Sequence, residues 1–150
     1  EQTPELREEK VKLNFIGDIS RFNKKLIKQI EQSKKLTEEY EPKLNLIIAA
    51  SYGGKWDIIN AIKKFHADKN NKELNENILE DYLETKSFPN PDLIIRSGGE
   101  KRLSNFYLWQ SSYSELFFSD KLWPDFNVKD FDIALEDYRS RKRKFGVETG

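Results

Sequence analysis

Three apolar runs in this chain each stop abruptly at polar, glycine-bearing sequence. "VKLNFIG" (Val11–Gly17) passes into "GDISR", "LNLIIAA" (Leu44–Ala50) into "SYGGK", and "DLIIR" (Asp92–Arg96) into "RSGGEKRLSN". A fourth run, "ELFF", covers Glu115–Phe118. Between the runs the apolar period changes from strand-like to helical. Phe22, Leu26, Ile27 and Ile30 share one helical face, and Ile58, Ile59, Ile62 and Phe65 another. Ile78, Leu79, Tyr82 and Leu83 predict a short helix. Phe131, Ala134, Leu135 and Tyr138 predict a last one, with Gly146 as its stop. Such alternation predicts an α/β fold, a parallel β-sheet with right-handed crossovers and helices on both faces. Ligands of such sheets collect at the carboxyl ends of strands. The three polar segments are therefore where chemistry is expected.

Composition narrows the partners. The 150 residues suit one domain, and no repeat or Pro/Gly-rich linker divides them. Twenty-six basic residues cancel 26 acidic ones, which argues against a general nucleic-acid binder. There is no cysteine, so disulfides and thiolate chemistry are excluded. "LNLIIAA" is too short to span a bilayer, and the charged stretch "EQTPELREEK" is not expected to act as a signal peptide. These features lead to the expectation of a soluble, cytoplasmic protein.

The third segment is the richest. Gly98 and Gly99 allow a tight turn with exposed amides, and Arg96 and Arg102 add guanidinium forks. Ser104 stands before a helical pattern at Phe106, Trp109 and Tyr113, near an N-cap. Together these groups suit a phosphate. The bland alternative pairs both arginines with Glu100 or Asp92 as surface ions and leaves Ser104 as a cap. Spacing divides evenly between the two. Glu115, ten residues beyond Asn105, could hold Mg²⁺ beside such a pocket, although an idle surface glutamate is the commoner outcome.

The other polar features read first as structure. "SYGGKWDI" is a tight turn with Trp56 as core and lacks the Walker pattern, and "GDISRFN" is a turn with Asp18 or Ser20 capping the next helix. His66, the one histidine, is expected at the surface. Trp109, Tyr113, Trp123 and Phe126 are expected in the core. The basic run "RSRKRKFG" (Arg139–Gly146) suits a solvated helix end, or an arm reaching an anionic ligand on another subunit.

Taken together, "IGDISRFN", "AASYGGKWDI", "DLIIRSGGEKRLSNFYLWQSSYSELFFSDKLWPDF" and "RKRKFG" resemble the C-terminal part of the cis-prenyltransferases, the undecaprenyl diphosphate synthase family. The resemblance runs almost end to end. It implies that Arg96, Arg102 and Ser104 bind isopentenyl diphosphate and that Glu115 helps hold Mg²⁺. It also implies a homodimer, an allylic diphosphate co-substrate, a hydrophobic tunnel and a lipid product delivered to the membrane, where the protein would sit peripherally. Arg143, Lys144 and Gly146 match a phosphate contact made across the dimer, and no nucleic acid is expected. Two positions depart from the family: Lys55 where arginine is common after Gly-Gly, and Lys144 where an arginine–X–glycine signature occurs. Lysine keeps the charge and loses the planar fork.

The family's Asp-Gly-Asn-Gly-Arg-type loop and Ser/Thr-Glu-Asn-Trp-type segment do not occur in this sequence. The expectation is therefore that residues 1–150 form the C-terminal portion of a single domain, without its N-terminal strands or essential aspartate, and inactive alone. Two rivals stand beside the enzyme: a non-catalytic subunit supporting a full-length synthase, and an RNA-binding module, which the zero net charge disfavours.

Overall fold

The computed structural model describes residues 3–69 and 73–142. In order, the elements are α1 (Thr3–Glu8), β1 (Val11–Ile16), a 3₁₀ turn (Ile19–Arg21), α2 (Lys24–Leu36), β2 (Leu44–Ala49), α3 (Gly54–Ala67) and α4 (Glu76–Glu80). Then follow β3 (Leu93–Arg96), β4 (Glu115–Phe118), a second 3₁₀ turn (Trp123–Asp125) and α5 (Val128–Ser140). The fold is α/β with parallel strands, as the alternation predicts. The strands form two separate pairs where one continuous sheet was expected. Contacts likewise gather into two units, Glu1–Ser87 and Phe88–Gly150.

In the first unit β1 and β2 run parallel, from Val11 beside Leu44 to Ile16 beside Ala49. Asn23 opens α2 by accepting a hydrogen bond from the Leu26 amide at 2.9 Å. The expected caps Asp18 and Ser20 are displaced from that role because the 3₁₀ turn intervenes; Ser20 bonds to Asp18 instead. Leu13, Ile16, Ile30, Ala61, Phe65, Leu79 and Leu83 are buried. Thr37, fully buried at the end of α2, accepts the Leu13 amide on its Oγ1 at 3.0 Å. An apolar hollow of about 260 Å³ lies between β1 and α2, lined by Phe15, Phe22, Leu26, Ile30 and Ala50 among others.

Coverage of the sheet is incomplete. Leu44, Leu46 and Ile48 alternate along β2, so they share one face, and they are 59%, 39% and 40% exposed.

The strand ends of this unit are knitted by polar groups. Gly17 has φ +108°, and a Cβ there would lie 2.2 Å from the Ala50 carbonyl oxygen, so only glycine fits. Asp57, buried in the first turn of α3, accepts from the Tyr52 hydroxyl at 2.8 Å and from the Glu84 amide at 2.9 Å. The Gly53-Gly54 segment is the turn that starts α3, with Trp56 half-buried.

In the second unit β3 and β4 pair in parallel, from Leu93 beside Glu115 to Arg96 beside Phe118. Their side chains are half-buried, and Ala134 on α5 is the one fully buried apolar residue here among the described residues. The helix expected from Phe106 to Tyr113 does not form. Ser104, Asn105 and Tyr107 all take positive φ, of 49°, 64° and 46°, which no right-handed helix accommodates. The segment is a chain of turns, with Phe106 and Tyr107 stacked at 4.4 Å. Two expected core aromatics are at the surface: Tyr113 is 68% exposed and Trp123 is 76% exposed. The 3₁₀ turn lays Trp123 flat over Phe126, outside the core. His66 is exposed, as expected.

Candidate active site

β3 ends at Arg96, and its ladder does not stop there. The Ser119 amide donates to the Arg96 carbonyl at 2.8 Å, Gly99 donates to Ser119 at 2.9 Å, and Gly98 donates to Lys121 at 2.7 Å. Both glycines take positive φ, as the tight turn requires. Their amides were expected to face a ligand. They are instead paired with carbonyls beyond β4, because the strand pair extends past its formal end.

Recognition at this end therefore falls to side chains. Arg96 Nη1 donates to Ser104 Oγ at 2.7 Å and also to the Arg102 carbonyl. That double grip draws the turn-rich segment back over the end of β3. A hollow of about 340 Å³ results, lined by Ile95, Arg96, Ser97, Arg102, Ser104 and Phe106 with their neighbours. Arg96, Arg102 and Ser104 thus share one hollow. Arg102 is also ion-paired with Glu100 at the surface, so that part of the bland alternative is realised as well. The positive φ values at Ser104 and Asn105 are conformations that non-glycine residues hold only when their surroundings enforce them.

Glu115 is elsewhere. It opens β4 beside Leu93, three residues before Arg96, which is about 10 Å along the strand. It does not line the hollow. Its Oε2 accepts from Arg141 Nη1 at 2.7 Å. Arg141, the residue that caps the end of α5, stands in the sequence only as part of a basic run. The signal that could have found it is Asp137 four residues earlier, an i, i+4 pair that aims the guanidinium along the helix end. The bonds to Glu115 and then Asp137 hold the Arg141 pKa above its ordinary value.

Glu115 suits a cation in kind: it offers one carboxylate, and Mg²⁺ takes one or two beside phosphate oxygens. No group of three or more acidic or histidine side chains able to hold a metal occurs among the described residues. Among the described residues a single carboxylate is thus on offer and not a cage. Arg143, Lys144 and Gly146 lie outside the described residues.

The scaffold is parallel α/β, and guanidinium and hydroxyl groups line a hollow at a strand's carboxyl end, the end at which such sheets commonly take ligands. The chain belongs to the undecaprenyl diphosphate synthase family, whose model matches residues 1–146. It is 45% identical over 150 residues to the farnesyl-diphosphate-specific ditrans,polycis-undecaprenyl-diphosphate synthase of Coxiella burnetii, covering 97% of this chain and 63% of that protein. To the enzyme of the same description from Pasteurella multocida it is 46% identical, covering 97% and 62%. Its fold matches lavandulyl diphosphate synthase from Lavandula x intermedia, solved with dimethylallyl diphosphate, at a TM-score of 0.89. That match has 37% identity over 97% of this chain and 65% of the other. The chain thus spans somewhat under two thirds of these relatives' length.

Proposed function

We propose that this chain carries the isopentenyl diphosphate half of a cis-prenyltransferase site, in a protein that makes a long-chain polyprenyl diphosphate of the undecaprenyl type. The observation that carries the reading is the hollow shared by Arg96, Arg102 and Ser104. Two guanidiniums and a hydroxyl match the charge and the acceptor oxygens of a diphosphate. Arg102 reaches that anion by exchanging its bond to Glu100 for one to phosphate. Ile95 and Phe106 on the same wall suit the short hydrocarbon end.

In the reaction, the allylic diphosphate leaves, the isopentenyl double bond attacks the allylic carbon, and a proton is lost to give a cis double bond. Arg96, Arg102 and Ser104 would contribute by holding the attacking substrate in one place and orientation, which removes most of the entropic cost of the encounter. Mg²⁺, when bound, would neutralise phosphate oxygens, with Glu115 as its protein donor. Within one chain Glu115 is about 10 Å along the strand from Arg96, and this favours a homodimer in which the second copy's Glu115 meets the diphosphate. The apolar hollow between β1 and α2 suits an isoprenoid chain, whose product end would be handed to a membrane at which the protein sits peripherally.

The test is Arg102→Ala in the whole protein. Loss of a charge-assisted contact of about 1.5–3 kcal/mol lowers kcat/KM for isopentenyl diphosphate roughly ten- to hundredfold. Unchanged steady-state kinetics would remove the reading.

A further inference from the structure

Glu115 is not a loose surface acid. Arg141 binds it through Nη1, while Nη2 donates to Asp137 Oδ2 at 2.6 Å and to the Leu116 carbonyl at 3.1 Å. One guanidinium therefore joins the first two residues of β4 to the last turn of α5. The pair lies at the surface and is partly covered: the Arg141 and Glu115 side chains are 34% and 24% exposed. An ordinary surface ion pair has a single partner, bends freely and contributes little. Here three acceptors on two elements occupy the planar fork, and a fork so occupied fixes the direction of whatever it holds.

Two details give that arrangement a use. Among the described residues Glu115 accepts on Oε2 alone, and its Oε1 has no hydrogen-bond partner there. Asp137 offsets the charge of Arg141, so the trio of two carboxylates and one guanidinium keeps one negative charge. A lone arginine against Glu115 would repel an arriving cation. An arginine shared with a second carboxylate can orient the acid without doing so.

We infer that Arg141 is the positioning residue for Glu115, holding one carboxylate oxygen so that the other is presented to a divalent cation, with Asp137 cancelling the guanidinium's charge. The inference rests on the proposed role of Glu115 as a Mg²⁺ donor. Groups that orient a metal's ligand commonly matter almost as much as the ligand, at about 10- to 100-fold in metal affinity.

The experiment titrates Mn²⁺, a paramagnetic substitute with the same preference for oxygen, into the whole protein with inorganic pyrophosphate present, reading free Mn²⁺ by electron paramagnetic resonance. Glu115→Gln weakens binding at least tenfold. Arg141→Met weakens it by about 10- to 100-fold, and Arg141→Lys recovers part of the loss, since an ammonium can hold Glu115 without the fork. Asp137→Asn leaves the Glu115 bond in place and still weakens Mn²⁺, because the guanidinium charge is no longer offset. This second variant also covers the case in which Arg141→Met fails to fold. A merely structural Arg141 would lower the thermal midpoint and leave Mn²⁺ affinity in the folded protein alone.

Unchanged affinity in Arg141→Met, or in Asp137→Asn if only that variant folds, overturns the inference provided Glu115→Gln is weakened. Unchanged affinity in Glu115→Gln removes the metal reading beneath it.

Discussion

At the scale of single residues, polar groups placed where water cannot reach them decide more than the apolar ones around them. Thr37 is 0% exposed, and its Oγ1 both accepts the Leu13 amide and donates to the Lys34 carbonyl, each at 3.0 Å. One hydroxyl thereby closes α2 and satisfies β1. Thr37→Val keeps the shape and strands the Leu13 amide, which costs about 1–3 kcal/mol. Urea unfolding should show a lower midpoint at unchanged slope, while Thr37→Ser stays near wild type. A valine variant as stable as the parent would show that the amide finds another partner. Placement of side chains is legible at the residue scale where partners are local. Arg96, Arg102 and Ser104 lie within nine residues, so their spacing keeps them near one strand end, and the bonds from Arg96 bring them to one hollow. Glu115 and Arg141 are 26 residues apart and meet only because α5 returns to the start of β4, which no local pattern reveals.

Among the elements, strands and long helices were legible because their apolar periods are plain. All four strands form where the apolar runs predict, as do α2 and α3; α5 forms too but ends at Ser140, before the expected stop at Gly146, because Arg141 is already extended. The short helix at residues 75–84 ends early, at Glu80, and α1 was not foreseen in a segment with so few apolar residues. The expected helix over Phe106–Tyr113 fails for a different reason: Arg96 pulls the segment back by two bonds, and that tertiary demand overrides the apolar spacing. α5 is specified most completely. Asn127 and Asp130 form a reciprocal capping box, and Lys121 pairs with Asp130 at 2.7 Å. The Lys121 bond and then the Asn127 amide lower the Asp130 pKa below the 3.8 of a free aspartate, against a smaller opposing effect of burial. A lowered folded-state pKa means stability present above 3.8 and lost as pH falls through the folded value. Asp130→Asn should therefore be less stable than wild type at neutral pH, with the gap in thermal midpoint closing as the solution is acidified below 3.8. A gap that stays constant with pH would show that the ionised carboxylate is not what the cap uses.

For the molecule as a whole, the distance along β3 and β4 between Arg96 and Glu115 makes the proposed dimer testable. Arg102→Ala and Glu115→Gln chains, each of strongly reduced activity alone, are mixed and refolded together. If Glu115 serves the second copy's hollow, half of the sites in each mixed dimer regain both groups, and activity returns to roughly a quarter of wild type for random pairing. If each chain serves itself, no site is whole and nothing returns. The uncovered row on β2 has a separate bearing on handling. Leu44, Leu46 and Ile48 remain open to solvent on a chain whose positive and negative residues cancel. A chain of residues 1–150 taken by itself lacks the long-range repulsion that keeps protein solutions clear, and nothing but thermal motion keeps one greasy stripe from another. Its suspension is least protected near neutrality, where light scattering should peak, and a shift of several pH units or a Leu46→Lys change should clear it.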